Sequence, residues 1–257
     1  MTARIYTDQS LAAGDSISLP PTSARHVQVL RFQPGNALTL FNGRGQIDAD
    51  VGSDAEGEYN ATIQSMGRSD VQVLVGNFVA TKREAKNAVH LVIGMPANER
   101  MDWLVEKATE LGVASIQPLM TERSVLRLAG ERADKKQAHW RGIAIAACEQ
   151  CGRNRVPLIH LPVSLTDWLK NSLKPMPSDL SKRLLLSLRC GSQPLSDVAG
   201  DAGAVTFLSG PEGGLSAEEE AAAVACGFGP ATLGQRVLRS ETAPLACLSY
   251  LMLKADL

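Results

Sequence analysis

Between Thr206 and Ala246 the chain reads TFLSGPEGGLSAEEEAAAVACGFGPATLGQRVLRSETAPLA, and this stretch constrains the fold more than any other. It continues an apolar run, Ala204 to Leu208, with the length of a buried strand. The run breaks at Ser209-Gly210-Pro211-Glu212-Gly213-Gly214. A helix is expected behind it, because Ser216 and Glu219 have capping-box spacing. A second apolar run, Ala231 to Leu233, ends in Gly234-Gln235-Arg236, and Pro244 suits the first turn of another helix. Two glycine-containing strand-to-helix loops thus lie about twenty residues apart. In open α/β sheets ligands bind beyond the carboxyl ends of strands, so the two loops predict walls of one pocket.

Gly210, Gly213 and Gly214 permit tight turning and close approach of backbone to a ligand. The loop is neither a Walker A nor a GxGxxG motif. A phosphate cradle needs free helix N–H groups and usually a basic side chain. Here the loop carries Glu212 and runs into Glu218-Glu219-Glu220, which argues for a neutral or cationic ligand. A plain tight turn is the alternative. The second loop sets Arg236 and Arg239 three residues apart beside Glu241. The helix that follows, Leu245 to Leu253, is apolar nearly all round, so it is buried or packs on another chain; a homodimer interface is the expectation.

Upstream, apolar runs alternate with helical patterns: strands at Val89–Ile93, Ala114–Leu119, Val156–Leu161 and Arg183–Leu188, and helices over Met101–Leu111, Asp134–Gln150 and Ser164–Leu173. Gly112 is expected to end the first of these helices. The alternation predicts an α/β domain with a mostly parallel sheet. Residues 4–80 read differently. Six short strands (Arg4–Tyr6, Ser16–Leu19, Ala37–Phe41, Gln46–Val51, Tyr59–Ile63 and Val71–Val75) and one helical stretch, Ser23–Phe32, suggest a small β-barrel. Thr81–Asn87 is a polar, basic connector. The expected domains are 1–78 and 79–257.

No apolar run approaches the roughly 18 residues of a membrane span, and MTARIYTDQS has no signal-peptide core, so a cytoplasmic protein is expected. Cys148 and Cys151 form a lone CxxC with no second ligand pair, which reads as two cysteines on a helix rather than a metal site. Overall net charge is −1, yet residues 82–155 hold 13 Lys and Arg against 9 Asp and Glu. A basic middle between acidic flanks marks a phosphate-facing surface or a solvated helical face.

GPEGGLS at 210–216 followed by LGQRVLRSETA at 233–243 closely resembles the ribosomal RNA small subunit methyltransferase E family, within the SPOUT superfamily. His26–Gly35, Glu106–Pro118 with Thr121–Ser124, and Glu149, Gln150, Arg153, Val156 and Pro157 agree in order and spacing. The resemblance implies S-adenosylmethionine-dependent methylation of N3 of a uridine in 16S rRNA. It implies a PUA-like RNA-binding barrel, then a SPOUT-type α/β domain with a C-terminal trefoil knot over about 183–257, a homodimer, no metal and no membrane.

The implied cofactor site draws on three segments. They are Leu186 and Ser187; Leu208, Ser209, Gly210, Pro211, Glu212 and Gly213; and Leu233, Gly234, Arg236, Val237, Leu238, Arg239, Thr242 and Ala243. Catalysis is expected from Arg153 and Arg239, as stabilisers of the uridylate, and from Glu212 or Glu241, as proton acceptor or arginine partner. RNA contacts are expected from Arg25, His26, Arg31 and Arg44 in the barrel and from Lys82, Arg83, Lys86, Arg100, Arg123, Arg127, Lys135 and Lys136. Two rivals stand beside this reading: another SPOUT methyltransferase acting on a ribose 2′-hydroxyl or a tRNA base, and a non-catalytic RNA-binding assembly factor.

Overall fold

The computed structural model describes residues 2–43, 56–172, 181–200 and 203–256. They fall into two units: Met1–Glu84 with Cys148–Val156, and Ala85–Ala147 with Pro157–Leu257.

In the first unit, β1 (Ala3–Tyr6), β2 (Ser16–Ser18), β3 (Ala37–Phe41), β4 (Gly57–Met66) and β5 (Val71–Ala80) form a sheet in the order β1-β3-β4-β5-β2. Among the described residues of this sheet only β1 and β3 pair in parallel. β4 and β5 bury alternate residues, the pattern of a sheet with one dry face. Helix α1 (Pro21–Val29) adds Ala24 and Val27 to a core with Ile5, Leu40, Ile63 and Val73. The strand expected at Gln46–Val51, and Arg44, lie outside the described residues.

The return of residues 148–156 to this unit is not visible in the sequence pattern. Arg153, 5% exposed, donates through Nε (3.0 Å) and Nη2 (2.6 Å) to Glu84 Oε2. Arg4 Nη2 donates to Arg153 O at 3.1 Å and to Asn154 Oδ1 at 2.7 Å, and Arg4 also pairs with Glu58. Arg83 Nη1 joins Glu58 Oε2 at 2.7 Å to Gly152 O at 2.9 Å. Glu149 Oε1 accepts from Tyr6 N at 3.0 Å, and burial pushes the Glu149 carboxyl above its ordinary range.

The second unit carries β6 (Ala88–Gly94), β7 (Ser115–Met120), β8 (Leu158–Ile159), β9 (Val163–Ser164), β10 (Ser181–Leu186), β11 (Gln193–Pro194), β12 (Ala204–Ser209) and β13 (Gly229–Thr232). Its order is β11-β13-β10-β12-β6-β7-β8, with β9 also on β7, and every pairing is parallel. The helices are α2 (Asn98–Glu110), α3 (Glu131–Cys151), α4 (Leu165–Ser172), α5 (Leu195–Val198), α6 (Ala217–Ala225) and α7 (Thr242–Asp256). α3 starts in this unit and ends in the first. Gly112, at φ 92°, follows the α2 C-cap.

β6 and β12 read as nearly unbroken apolar runs because the central strands of a parallel sheet are buried on both faces. Leu185, Leu208, Leu165, Ala223 and Phe228 form one cluster of this core, and full burial of Leu208 is worth about 2 kcal/mol. α7 packs on α2 and β12, burying Leu245, Cys247, Leu248 and Leu251. Tyr250 and Leu253 are left exposed. The CxxC ends α3: Cys148 is buried and Cys151 partly so, both free thiols, and burial pushes the Cys148 thiol up to about 12.

β9 and β11 were not expected, β4 and β5 run longer than expected, β13 starts and ends earlier, and β8 and β10 also differ from their expected bounds. β8 spans only Leu158–Ile159; Pro157 just before it lacks the N–H needed to extend the ladder toward Val156. β10 ends at Leu186 rather than Leu188, so Ser187 and Leu188 belong to the loop beyond it.

Candidate active site

β13, β10 and β12 lie side by side, and each ends in a segment the sequence marks for a ligand: Leu233 onward, Ser187 onward and Gly210 onward. A cavity of about 530 Å³ opens at these three strand ends. That volume lies inside the range of about 300–1,000 Å³ typical of small-molecule and cofactor sites.

The Gly210 loop is held in shape by close packing. A Cβ on Gly210 would stand 2.6 Å from both Gly214 C and Leu215 N, so the loop folds back on itself only with glycine there. Arg123 Nη1 donates to Gly213 O at 2.8 Å. Behind the loop, Ser216 caps α6: its hydroxyl accepts from Glu219 N, and Glu219 Oε2 accepts from Ser216 N. Glu219 Oε1 also accepts from Glu122 N at 2.7 Å. The loop is therefore a rigid wall, the kind of preorganisation a binding site requires.

Acid and base are distributed unevenly over the lining. Glu212 Oε1 accepts from Ala97 N at 2.9 Å and from Arg100 Nη1 at 3.1 Å. Arg100 Nε stands 4.0 Å from Glu241 Oε1, and Ser240 Oγ donates to Glu241 Oε2 at 3.1 Å. Arg100 is thus engaged by carboxylates, and Arg123 by a backbone carbonyl. Arg236 and Arg239 are exposed on the lining and form no ion pair among the described residues. Ser209 is 4% exposed, and its hydroxyl has no hydrogen-bond partner among the described residues. Such a cavity suits a ligand with a cationic part at the carboxylates, while its free arginines await an anionic partner.

The cavity brings together Leu186, Ser187, Ser209, Gly210, Pro211, Glu212, Gly213, Leu233, Arg236, Val237, Leu238, Arg239 and Ala243. Leu208 is instead a core residue, Gly234 turns the chain at φ 104°, and Thr242 starts α7. Glu241 is buried beside Ser240 and reaches the lining through Arg100. Arg153 does not line the cavity; Glu84 holds its guanidinium. Arg100 and Arg123, read from the sequence as RNA contacts, line it. Sequence reasoning missed Leu188, Gly214, Leu215, Glu220, Ala231, Thr232 and Ser240. For Glu220 a signal existed: three consecutive glutamates on a helix cannot share one face.

Of the remaining RNA-contact candidates, Arg25, Arg31 and Lys82 are exposed, and Arg31 takes a positive φ of 60°. His26 is exposed with Nδ1 3.3 Å from Glu149 Oε2, and Arg83 is bound to Glu58 and Gly152. Among the described residues no cluster of His, Cys, Asp and Glu is arranged to hold a metal ion. No helix among them is long and apolar enough to cross a membrane.

A family model for the RNA methyltransferase domain matches residues 83–252. The ribosomal RNA small subunit methyltransferase E of Bacillus subtilis is 29% identical over 98% of this chain and 95% of its own length. That of Mesomycoplasma hyopneumoniae is 31% identical over 65% of this chain and 70% of its own. Among solved structures, a ribosomal RNA small subunit methyltransferase E from Neisseria gonorrhoeae bound to S-adenosyl methionine superposes with a TM-score of 0.86 at 34% identity. That match covers 98% of this chain and 97% of the other. With the family model spanning the whole cavity-bearing sheet and the Neisseria structure matched along nearly its full length, the chain belongs to the ribosomal RNA small subunit methyltransferase E family.

Proposed function

We propose that this chain transfers the methyl group of S-adenosylmethionine to N3 of a uridine in the 16S rRNA of the small ribosomal subunit. The single observation that carries the reading is the cavity at the ends of β13, β10 and β12, built from the two loops whose sequences mark the family. Its residues fit the cofactor: Glu212 suits a sulfonium cation, and the buried Ser209 hydroxyl has a hydrogen bond to offer. The Neisseria relative was solved with this same molecule.

S-adenosylmethionine supplies an electrophilic methyl on sulfur. Uridine N3 carries a proton, and the protein must help remove it and stabilise the resulting uridylate. Arg239, free of ion pairs on the lining, is the guanidinium suited to the developing charge on the base carbonyls. Glu212 has one oxygen fixed by Ala97 N and Arg100, which orients the other as proton acceptor. Glu241 orients Arg100. Arg153 acts in holding residues 148–156 to their unit through Glu84.

The rest of the reading follows the family. The N-terminal sheet is a PUA-like RNA-binding domain, with Arg25, His26, Arg31, Lys82 and Arg83 contacting RNA backbone. The C-terminal region forms a trefoil knot; the placement of β10 between β12 and β13 is in keeping with one. The chain works as a cytoplasmic homodimer, and the exposed Tyr250 and Leu253 of α7 suit a subunit contact. Mass spectrometry of rRNA nucleosides from a strain lacking the gene tests the reaction. Loss of 3-methyluridine supports it; loss of a 2′-O-methylated nucleoside instead refutes it.

A further inference from the structure

Glu220 belongs to the first turn of α6, and its side chain is 14% exposed on the cavity lining. It differs from its two neighbours: Glu219 is consumed by the capping box and Glu122 N, and Glu218 is exposed. The Ser187 and Arg189 contacts of Glu220 reach one oxygen. Ser187 Oγ donates to Oε2 at 3.0 Å, and Arg189 Nε pairs with Oε2 at 2.7 Å. Arg189 N donates to Ser187 Oγ at 3.2 Å, which leaves the serine hydrogen for the carboxylate. The loop after β10 thus locks the carboxylate in place, and Oε1 has no partner among the described residues. The unpartnered, buried Ser209 hydroxyl on the same lining is a second sign that a polar ligand completes this wall.

We infer that Glu220 is a ligand-binding residue whose free oxygen accepts the hydroxyls of a ribose, an inference that rests on the adenosyl cofactor proposed above. A carboxylate offers acceptors only. An adenosyl ligand presents three kinds of donor: an ammonium, the adenine amino group and the ribose diol. Arg189 already neutralises Glu220, so an ammonium would gain little Coulomb energy there. The adenine edge pairs a donor with an acceptor and needs an N–H beside the oxygen. The diol supplies donors alone, and acidic side chains recognise ribose hydroxyls in this way at other strand–helix sites.

Calorimetry of the full chain with S-adenosylhomocysteine and its 2′-deoxy and 3′-deoxy analogues tests this. The wild type should lose about tenfold in affinity on removal of at least one hydroxyl, the effect of a hydrogen bond to a charged group. Glu220→Ala should bind S-adenosylhomocysteine about tenfold more weakly and distinguish the analogues less than twofold, about the residual expected once the acceptor is gone. If the alanine variant unfolds, Glu220→Gln carries the test, with selectivity reduced at least about threefold, because a neutral amide accepts more weakly than a carboxylate. Undiminished selectivity in either folded variant, or none in the wild type, overturns the inference. A wild type that fails to bind S-adenosylhomocysteine at all removes the cofactor reading and this inference with it.

Discussion

Arg100 Nη1 lies 3.1 Å from Glu212 Oε1, and the same guanidinium reaches within 4.0 Å of Glu241 Oε1. A residue of α2 therefore ties the Gly210 loop to the segment that leads into α7. Arg100→Ala should leave both carboxylates misdirected. Turnover with saturating RNA is expected to fall about tenfold to a hundredfold, as loss of positioning does. S-adenosylhomocysteine affinity measured by calorimetry should change much less. Unaltered turnover would show that Arg100 has no part in ordering the site.

Gly210 is the tightest point of the loop. In Gly210→Ala the new methyl would sit 2.6 Å from the Gly214 and Leu215 backbone, and backbone cannot swing aside as a flexible side chain can. Cofactor affinity should drop at least about tenfold, a cost of about 1.4 kcal/mol. Circular dichroism should report an intact α/β fold.

Arg153 and Arg239 separate structural from chemical roles. Arg153→Ala leaves the partly buried Glu84 without its cation, which should cost up to about 3 kcal/mol, the lower end for a buried pair. Arg239 is exposed and forms no ion pair among the described residues, so Arg239→Ala should change stability by less than about 0.5 kcal/mol. Its loss should appear in turnover. Urea unfolding and single-turnover methylation rates together check both statements.

Acid should weaken the fold through two histidines of the second unit. Burial lowers the proton affinity of His90, and nearby His160 lowers it further; burial alone does so for His160. In the unfolded chain each titrates near its ordinary 6.5. Below that pH the unfolded state binds protons that the folded state does not, so stability falls as pH drops. His90→Gln should flatten the loss of urea midpoint between pH 7.5 and pH 5.5. An equally steep loss in the variant would assign the acid sensitivity to other groups.

The two walls Ser209–Gly214 and Leu233–Ala243 were legible because strand, glycine turn and helix follow one another within each. Gly112 and the Ser216–Glu219 cap were legible for the same local reason. Arg153 was not: Glu84, its partner, lies 69 residues away in sequence, and no periodicity reports such a contact. The two-residue strands β9 and β11 have too few apolar positions to stand out from loops. Arg100 read as an RNA contact and Glu220 as one of three successive helix charges, since only the tertiary fold brings α2 and α6 to the strand ends.

The most direct measurement is methylation in vitro. Purified protein would be incubated with isotopically labelled S-adenosylmethionine and small ribosomal subunits from the deletion strain, and the rRNA nucleosides resolved by mass spectrometry. The account predicts label in 3-methyluridine, abolished or greatly slowed in Arg239→Ala. Label in a 2′-O-methylated nucleoside, or no transfer by a protein that binds the subunit, would contradict it.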